Sequence, residues 1–276
     1  MNNLFDESVP LVKAANLDVR LGQKHTFGGM TTTLVRAYAD ENNVVVGYSF
    51  GGSDELSSAK HMLPKARLVD TTGRDFTVVD SRGAVRNDGG SLSMKRTQVD
   101  AVTIFEACEK LTVSGEHGFH LMVELLTSSS ESTAPEAEAP METCGGPFDF
   151  DFKIPVWPIT VLEVGREQQA KGLSLSLERV ESSPAKTRAF IRFMPPDIER
   201  SWIPIVKTAF FKQGRLADTP MTETRCASFS FQESLHGKPG KYSLTVTEIV
   251  GFSPDRPEKD KRIHGPWRFR FEIPIS

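Results

Sequence analysis

The sequence predicts an all-β protein made of two tandem β-sandwich domains related by internal duplication. The first observation behind this is a ten-residue pattern that occurs twice. It reads Gly146-Pro147-Phe148-Asp149-Phe150-Asp151-Phe152-Lys153-Ile154-Pro155 and again Gly265-Pro266-Trp267-Arg268-Phe269-Arg270-Phe271-Glu272-Ile273-Pro274. In each copy a Gly-Pro step, read as a turn, leads into strict apolar/polar alternation closed by a proline. A period of two puts the aromatics on one face of a strand and the charges on the other. The second observation is that residues 28–50 align without a gap on residues 171–193, at an offset of 143. Gly29/Gly172, Leu34/Leu177, Arg36/Arg179 and Phe50/Phe193 are identical pairs. Met30, Thr32 and Leu34 fall on Leu173, Leu175 and Leu177, and Val46, Tyr48 and Phe50 on Ala189, Ile191 and Phe193. A slip of one residue would turn a strand inside out, so matched parity carries more weight than identity. The third is that 276 residues suffice for two domains, while the apolar periodicity is that of short strands rather than long helices.

Taken in order, residues 1–16 predict a short amphipathic helix or entry segment, with Leu4, Phe5, Val9, Leu11 and Val12 free to dock on the first domain. The first sandwich spans 17–156 and the second 157–276. Residues 28–50 and 171–193 each read as strand, polar turn, strand. Asp70 to Arg74 and Lys212 to Arg215 share a Gly-Arg pair and read as tight hairpin turns. A helical piece is expected over Asp54 to Met62. Phe119, Leu121 and Val123 correspond to Tyr242, Leu244 and Val246 at an offset of 123, and the closing strands correspond at 119. The falling offset assigns the first copy two insertions, within 76–105 and at 127–145. The second is rich in Ser, Thr, Pro and Glu and reads as a mobile loop at a hairpin end, as does 253–264. Val156-Trp157-Pro158 reads as a short, stiff join.

Charge is divided unevenly. Residues 156–276 carry 19 Lys/Arg against 14 Asp/Glu, a surplus of five positive charges, whereas 1–155 carry 14 against 22, a surplus of eight negative ones. Solvated faces of opposite sign, attracting each other, are the plain reading, and a basic patch on the second half is the sharper one. Three cysteines, Cys108, Cys144 and Cys226, form neither a disulfide framework nor a zinc motif. Cys144 reads as an exposed thiol. No apolar run reaches the ~20 residues of a membrane helix, and the first residues lack a signal pattern. The expectation is a cytoplasmic chain, or one numbered after the loss of an anchor or signal.

No reaction is legible, and the expectation is a non-enzyme with no cofactor and no metal. His117 and His120 are three apart, around an expected turn at Gly118, and otherwise no histidine spacing suits a metal. Phosphate-loop and dinucleotide motifs are absent. Asp70, Asp75, Asp80 and Asp88 are close in sequence, but acidic residues at β-turns are common, and turn chemistry is expected rather than paired carboxylates. Trp267 reads as a core aromatic. The candidate ligand site is a basic patch with an aromatic in it: Arg188, Phe190 and Arg192 on one outer strand face and Arg268 and Arg270 on another, if those strands are neighbours. It suits an anionic polymer or an acidic protein partner. Nucleic acid is not expected, because the chain is acidic overall and shows no reading motif.

Residues 21–50, with Leu21-Gly22-Gln23, Val35-Arg36-Ala37-Tyr38-Ala39-Asp40 and Val44-Val45-Val46-Gly47-Tyr48-Ser49-Phe50, resemble an uncharacterised bacterial extracytoplasmic domain family. The second half, ending Gly265-Pro266-Trp267-Arg268-Phe269, resembles the immunoglobulin-like domain that often follows it. The resemblance implies two immunoglobulin-like sandwiches and no catalytic residues. It also implies a sensor or binding module outside the cytoplasm, as in membrane-anchored regulators of sigma factors, with an envelope component or protein as partner. Membrane attachment would then come through a segment outside these residues. The alternative is a structural or adhesive envelope protein that uses the sandwiches as spacers.

Overall fold

The computed structural model describes residues 3–52, 62–87, 97–107, 109–113, 115–128, 141–197, 200–208, 214–216, 226–231, 234–252 and 260–274. It is almost entirely β-structure, and the chain divides into two compact units, Met1–Pro158 and Ile159–Ser276.

The first unit opens with two short helices, α1 (Asn3–Ser8) and α2 (Pro10–Ala14), followed by eight strands: β1 (Val19–Phe27), β2 (Met30–Asp40), β3 (Asn43–Gly51), β4 (Met62–Asp70), β5 (Phe76–Asn87), β6 (Thr97–Ala107), β7 (Glu116–Ser128) and β8 (Met141–Trp157). One layer runs β1-β2-β3-β6-β5 and the other β4-β7-β8. A short parallel pairing of Ala39 and Asp40 with Val156 and Trp157 joins the layers at one margin. Between them lies an apolar core, with Leu34, Tyr48, Phe50, Phe105, Phe119 and Phe148 at its centre. The alternation in the sequence produces it, since every second residue of each strand points inward. Phe5, Val9 and Val12 of the helical segment are fully buried. Helix α1 lies against β3, β5 and β6, where Val45 and Val102, of outward parity, are buried. Arg36 holds the segment in place: it pairs with Asp6 at 2.7 Å and Asp18 at 3.5 Å, and its guanidinium lies 4.6 Å from the Phe5 ring centroid.

The second unit comprises β9 (Thr160–Ala170), β10 (Leu173–Ser182), β11 (Thr187–Phe193), β12 (Ser201–Thr208), β13 (Gly214–Leu216), β14 (Cys226–Phe231), β15 (Gly240–Phe252) and β16 (Lys261–Ile273). Its layers run β9-β10-β11-β14-β13 and β12-β15-β16. Strand for strand, this is the order of the first unit. The agreement extends to register. Thr32 faces Phe50 and Leu34 faces Tyr48, as Leu175 faces Phe193 and Leu177 faces Ile191, and in both hairpins a bulge follows the second pair. The turn from β1 to β2, at Gly28-Gly29, and that from β9 to β10, at Lys171-Gly172, both take positive φ at their two central residues, the form that matches strand twist. The second core holds Leu175, Leu177, Phe193, Trp202, Trp267 and Phe269, and Trp267 Nε1 donates to the Leu173 carbonyl at 3.0 Å.

Several expectations are corrected. Gly146-Pro147 and Gly265-Pro266 are not turns: both are cis peptides inside the long strands β8 and β16, at register shifts opposite Val123–Leu125 and Val246–Glu248. Residues 127–128 and 141–145 continue the β7–β8 ladder, and Lys261 to His264 belong to β16, because backbone pairing carries on past the apolar stretch. Residues 129–140 and 253–259 lie outside the described residues, as do 54–61 of the expected helix, while Met62 begins β4. Asp70 to Arg74 is a tight turn but not a hairpin between paired neighbours: β4 and β5 enter different layers, and among the described residues their backbone pairing is a single Val69–Asp75 bridge. His117 to His120 is strand rather than turn. Cys144 is half-buried and packs on the first core because β8 begins before it. Val156 and Trp157 are the end of β8, and Trp157 Nε1 donates to the Leu17 carbonyl at 3.2 Å.

Candidate functional site

The predicted basic patch does not assemble. Arg188, Phe190 and Arg192 lie on β11, inside the five-stranded layer, whereas Arg268 and Arg270 lie on β16, in the other layer. Outward faces of the two layers of a sandwich point in opposite directions, so the two groups share no surface. Arg188 is buried. Phe190 is half-buried, with the Arg179 guanidinium 3.8 Å from its ring centroid, and Arg192 pairs with Glu178 at 2.7 Å.

What the fold does build is an open groove of about 450 Å³ on the second unit, lined by Arg166, Lys241, Tyr242, Ser243, Arg270, Phe271 and Glu272. Its position follows from the strand order. β9 is the outer strand of its layer and lies alongside β16 of the other. Arg166 faces Leu177 next to the β9 bulge, and Lys241–Glu272 and Ser243–Arg270 are cross-strand pairs. Tyr242 stacks on Phe271 with ring centroids 5.9 Å apart, and its hydroxyl donates to the Lys238 carbonyl at 2.9 Å. Three cations and one carboxylate, Glu272, thus line the same groove as the two stacked rings. Among the described residues, Arg166, Lys241 and Arg270 have no carboxylate within ion-pair distance. Guanidinium and ammonium groups in that state favour an anionic ligand, and the rings offer an apolar surface to its body.

The first unit differs at the equivalent edge. Gln23 stands where the second unit has Arg166. Its amide donates to the Asp151 carbonyl at 3.0 Å and ties β1 to β8. Beside it, the Asp149 amide donates to His25 Nδ1 at 3.3 Å. Arg166 makes no such bond among the described residues. Outside this closed edge, His120 sits between two carboxylates, its Nδ1 2.9 Å from Asp151 and its Nε2 3.3 Å from Asp149. The corresponding trio in the second unit is Ser243, Arg270 and Arg268.

The acidic residues near 70–88 do not pair as catalytic carboxylates. Asp70 is buried and closes its turn: it accepts from the Thr72 amide and hydroxyl and from the Arg74 amide and Nε, with His117 Nε2 3.2 Å away. Burial pushes its pKa up, but the bonds from Thr72, Arg74 and His117 outweigh burial and hold it well below the usual carboxylate range. Asp75 pairs with Arg67 and Asp80 with Arg82, while Asp88 lies outside the described residues. No group of three or more His, Cys, Asp and Glu suited to a metal occurs among the described residues. No helix among them is long and apolar enough to cross a membrane.

An all-β protein with a cationic groove on its second unit is thus the class that the geometry defines. No family model matches the chain, and no curated protein matches it. Among solved structures, the conserved domain protein from Bacillus anthracis is similar, with a TM-score of 0.59, 12% identity, and coverage of 94% of this chain and 92% of that one. At that identity the likeness extends to the fold alone. The Actinomyces fimbrial adhesin FimA aligns over 71% of this chain and 92% of its own, with 11% identity and a TM-score of 0.18.

Proposed function

We propose that the chain is a non-catalytic binding protein built from a duplicated immunoglobulin-type sandwich, and that the groove of its second unit takes an anionic ligand. The sandwich assignment is supported by strand order. Without its first strand, each unit has seven strands ordered 1-2-5-4 in one layer and 3-6-7 in the other, the order of constant-type immunoglobulin domains. Trp202, buried on the third of these strands in the second unit, adds to it. The duplication is supported by the matched registers, bulges and Gly-Pro positions.

The observation that carries the binding reading is that Arg166, Lys241 and Arg270 line one groove with the Tyr242–Phe271 ring pair, without carboxylate partners among the described residues. The natural ligand in this reading is an anionic component of the cell envelope, with the chain as the extracytoplasmic sensing part of a regulator. That location is supported by the family resemblance, and fractionation of native cells with an antibody to the chain tests it. Calorimetric titration with an oligogalacturonate, with a neutral oligogalactan as control, tests the groove. Binding of the acidic sugar alone, weakened about tenfold by Arg270→Ala or Lys241→Ala, is expected from the loss of one charge-assisted contact. Equal response to both sugars, or none to either, removes the reading. The second reading, a structural or adhesive envelope protein, is favoured by a different observation, the opposite charges carried by the two closing strands.

A further inference from the structure

The outward residues of the two closing strands are charge-reversed, position by position. On β8 they are Asp149, Asp151 and Lys153; at the equivalent positions of β16 they are Arg268, Arg270 and Glu272. The inward residues between them stay aromatic in both copies, namely Phe148, Phe150 and Phe152 against Trp267, Phe269 and Phe271. The core therefore kept its chemistry while all three solvent-facing positions carry the opposite sign. All six side chains are on exposed residues. Among the described residues, only His120 lies within ion-pair distance of Asp149 and Asp151, and Lys153, Arg268, Arg270 and Glu272 have no ion-pair partner.

We infer that the chain associates head to tail with a second copy of itself, the outer face of β16 in one molecule meeting the outer face of β8 in the next. This rests on the reading of Arg270 and its neighbours as an anion-binding surface and names its partner. The order of the charges selects the geometry. Reading along each strand, one triplet is minus, minus, plus and the other plus, plus, minus. Both have the same spacing of roughly 6.8 Å between alternate residues. With the strands parallel, Asp149 meets Arg268, Asp151 meets Arg270 and Lys153 meets Glu272. With the strands antiparallel, Asp149 would meet Glu272 and Lys153 would meet Arg268, so two of three positions would repel. Parallel docking of unlike faces is heterologous, so the association propagates into rings or filaments rather than stopping at a symmetric dimer. The net charges of the two halves of the chain, negative over 1–155 and positive over 156–276, steer the same encounter from a distance. Exposed ion pairs are individually weak, and the association is accordingly concentration-dependent and salt-sensitive.

The test is sedimentation of the full chain at low and high salt, about 50 and 500 mM NaCl, up to the highest concentration it tolerates. Wild type is expected to gain mass with concentration at low salt and to lose most of that gain at high salt. One variant carries Asp149→Arg, Asp151→Arg and Lys153→Glu; another carries Arg268→Asp, Arg270→Asp and Glu272→Lys. Each alone is expected to stay monomeric, and an equimolar mixture of the two to associate again. Recovery on mixing is something a misfolded variant does not produce. If a triple variant fails to fold, Asp151→Arg and Arg270→Asp singly, and mixed, serve the same purpose. Wild type with one mass at every concentration and salt, or a mixture that stays monomeric, overturns the inference. The outcome is separable from the binding reading. Oligogalacturonate binding by a chain that never associates leaves the groove standing and removes self-assembly, whereas association without sugar binding leaves the protein partner and removes the sugar.

Discussion

Gly146 and Gly265 sit where a side chain has no room. A Cβ added at Gly146 would stand 2.8 Å from the Val123 carbonyl oxygen, and one at Gly265 would stand 2.8 Å from that of Val246 and 2.6 Å from the Trp267 ring. A backbone carbonyl held in a ladder cannot swing away as a flexible side chain can. Gly146→Ala and Gly265→Ala are each expected to lower stability by about 1–3 kcal/mol, as overpacking does. Gly51→Ala, where nothing lies within 4 Å, is the neutral control in the same urea titrations. Asp70 supplies a second prediction at this scale. Its folded pKa is depressed below the unfolded value, so its ionised form stabilises the fold at neutral pH, and that contribution fades as pH falls below the ordinary carboxylate value of about 3.9. Asp70→Asn is therefore expected to be less stable than wild type near neutrality, with a gap that narrows in acid. Thermal melts across that range check it; a gap that is constant with pH contradicts the assignment.

Among the elements, the N-terminal helices behave as a cover for one sheet face rather than as a terminus. Helices of six and five residues are too short to persist alone, so burial of Phe5, Val9 and Val12 and the Arg36 ion pairs must hold them. Phe5→Ala is expected to cost about 3–5 kcal/mol as a core truncation does, and to speed protease cleavage within the first 16 residues. A change confined to cleavage, with no loss of stability, would show that the helices cover the sheet without supporting it. The β1–β8 and β9–β16 margins are the other informative elements. Equivalent strands lie side by side in both units, but Gln23 bonds across to β8 while Arg166 does not bond across to β16 among the described residues. Arg166→Gln is expected to weaken anion binding at the groove about tenfold with little effect on stability, as titration and melting together would show.

In the molecule as a whole, each unit encloses its own apolar core. Leu177→Ala, in the centre of the second core, is expected to lower one calorimetric unfolding transition and leave the other in place. A single transition that shifts as a whole would mean that the units unfold as one.

Much of this architecture was legible in the sequence because a strand's parity is a local property. Alternation at 148–155 and 267–274, and the ungapped match of 28–50 with 171–193, depend only on which side chains share a face, and the structure places all of them accordingly. The charge reversal of β8 and β16 was legible too, in the same aligned strands, once the polar positions were read as closely as the aromatic ones. Strand neighbourhood was not. Arg188 and Arg192 have the right residue types and spacing for a patch with Arg268 and Arg270, but a period of two says which face a residue takes and not which layer its strand joins. That choice is made by non-neighbouring pairings such as β11 with β14 and β12 with β15, through main-chain bonds that carry no residue-specific mark. The groove belongs to the same class. Arg166 and Arg270 are 104 positions apart, and only the packing of β9 alongside β16 brings them to one surface.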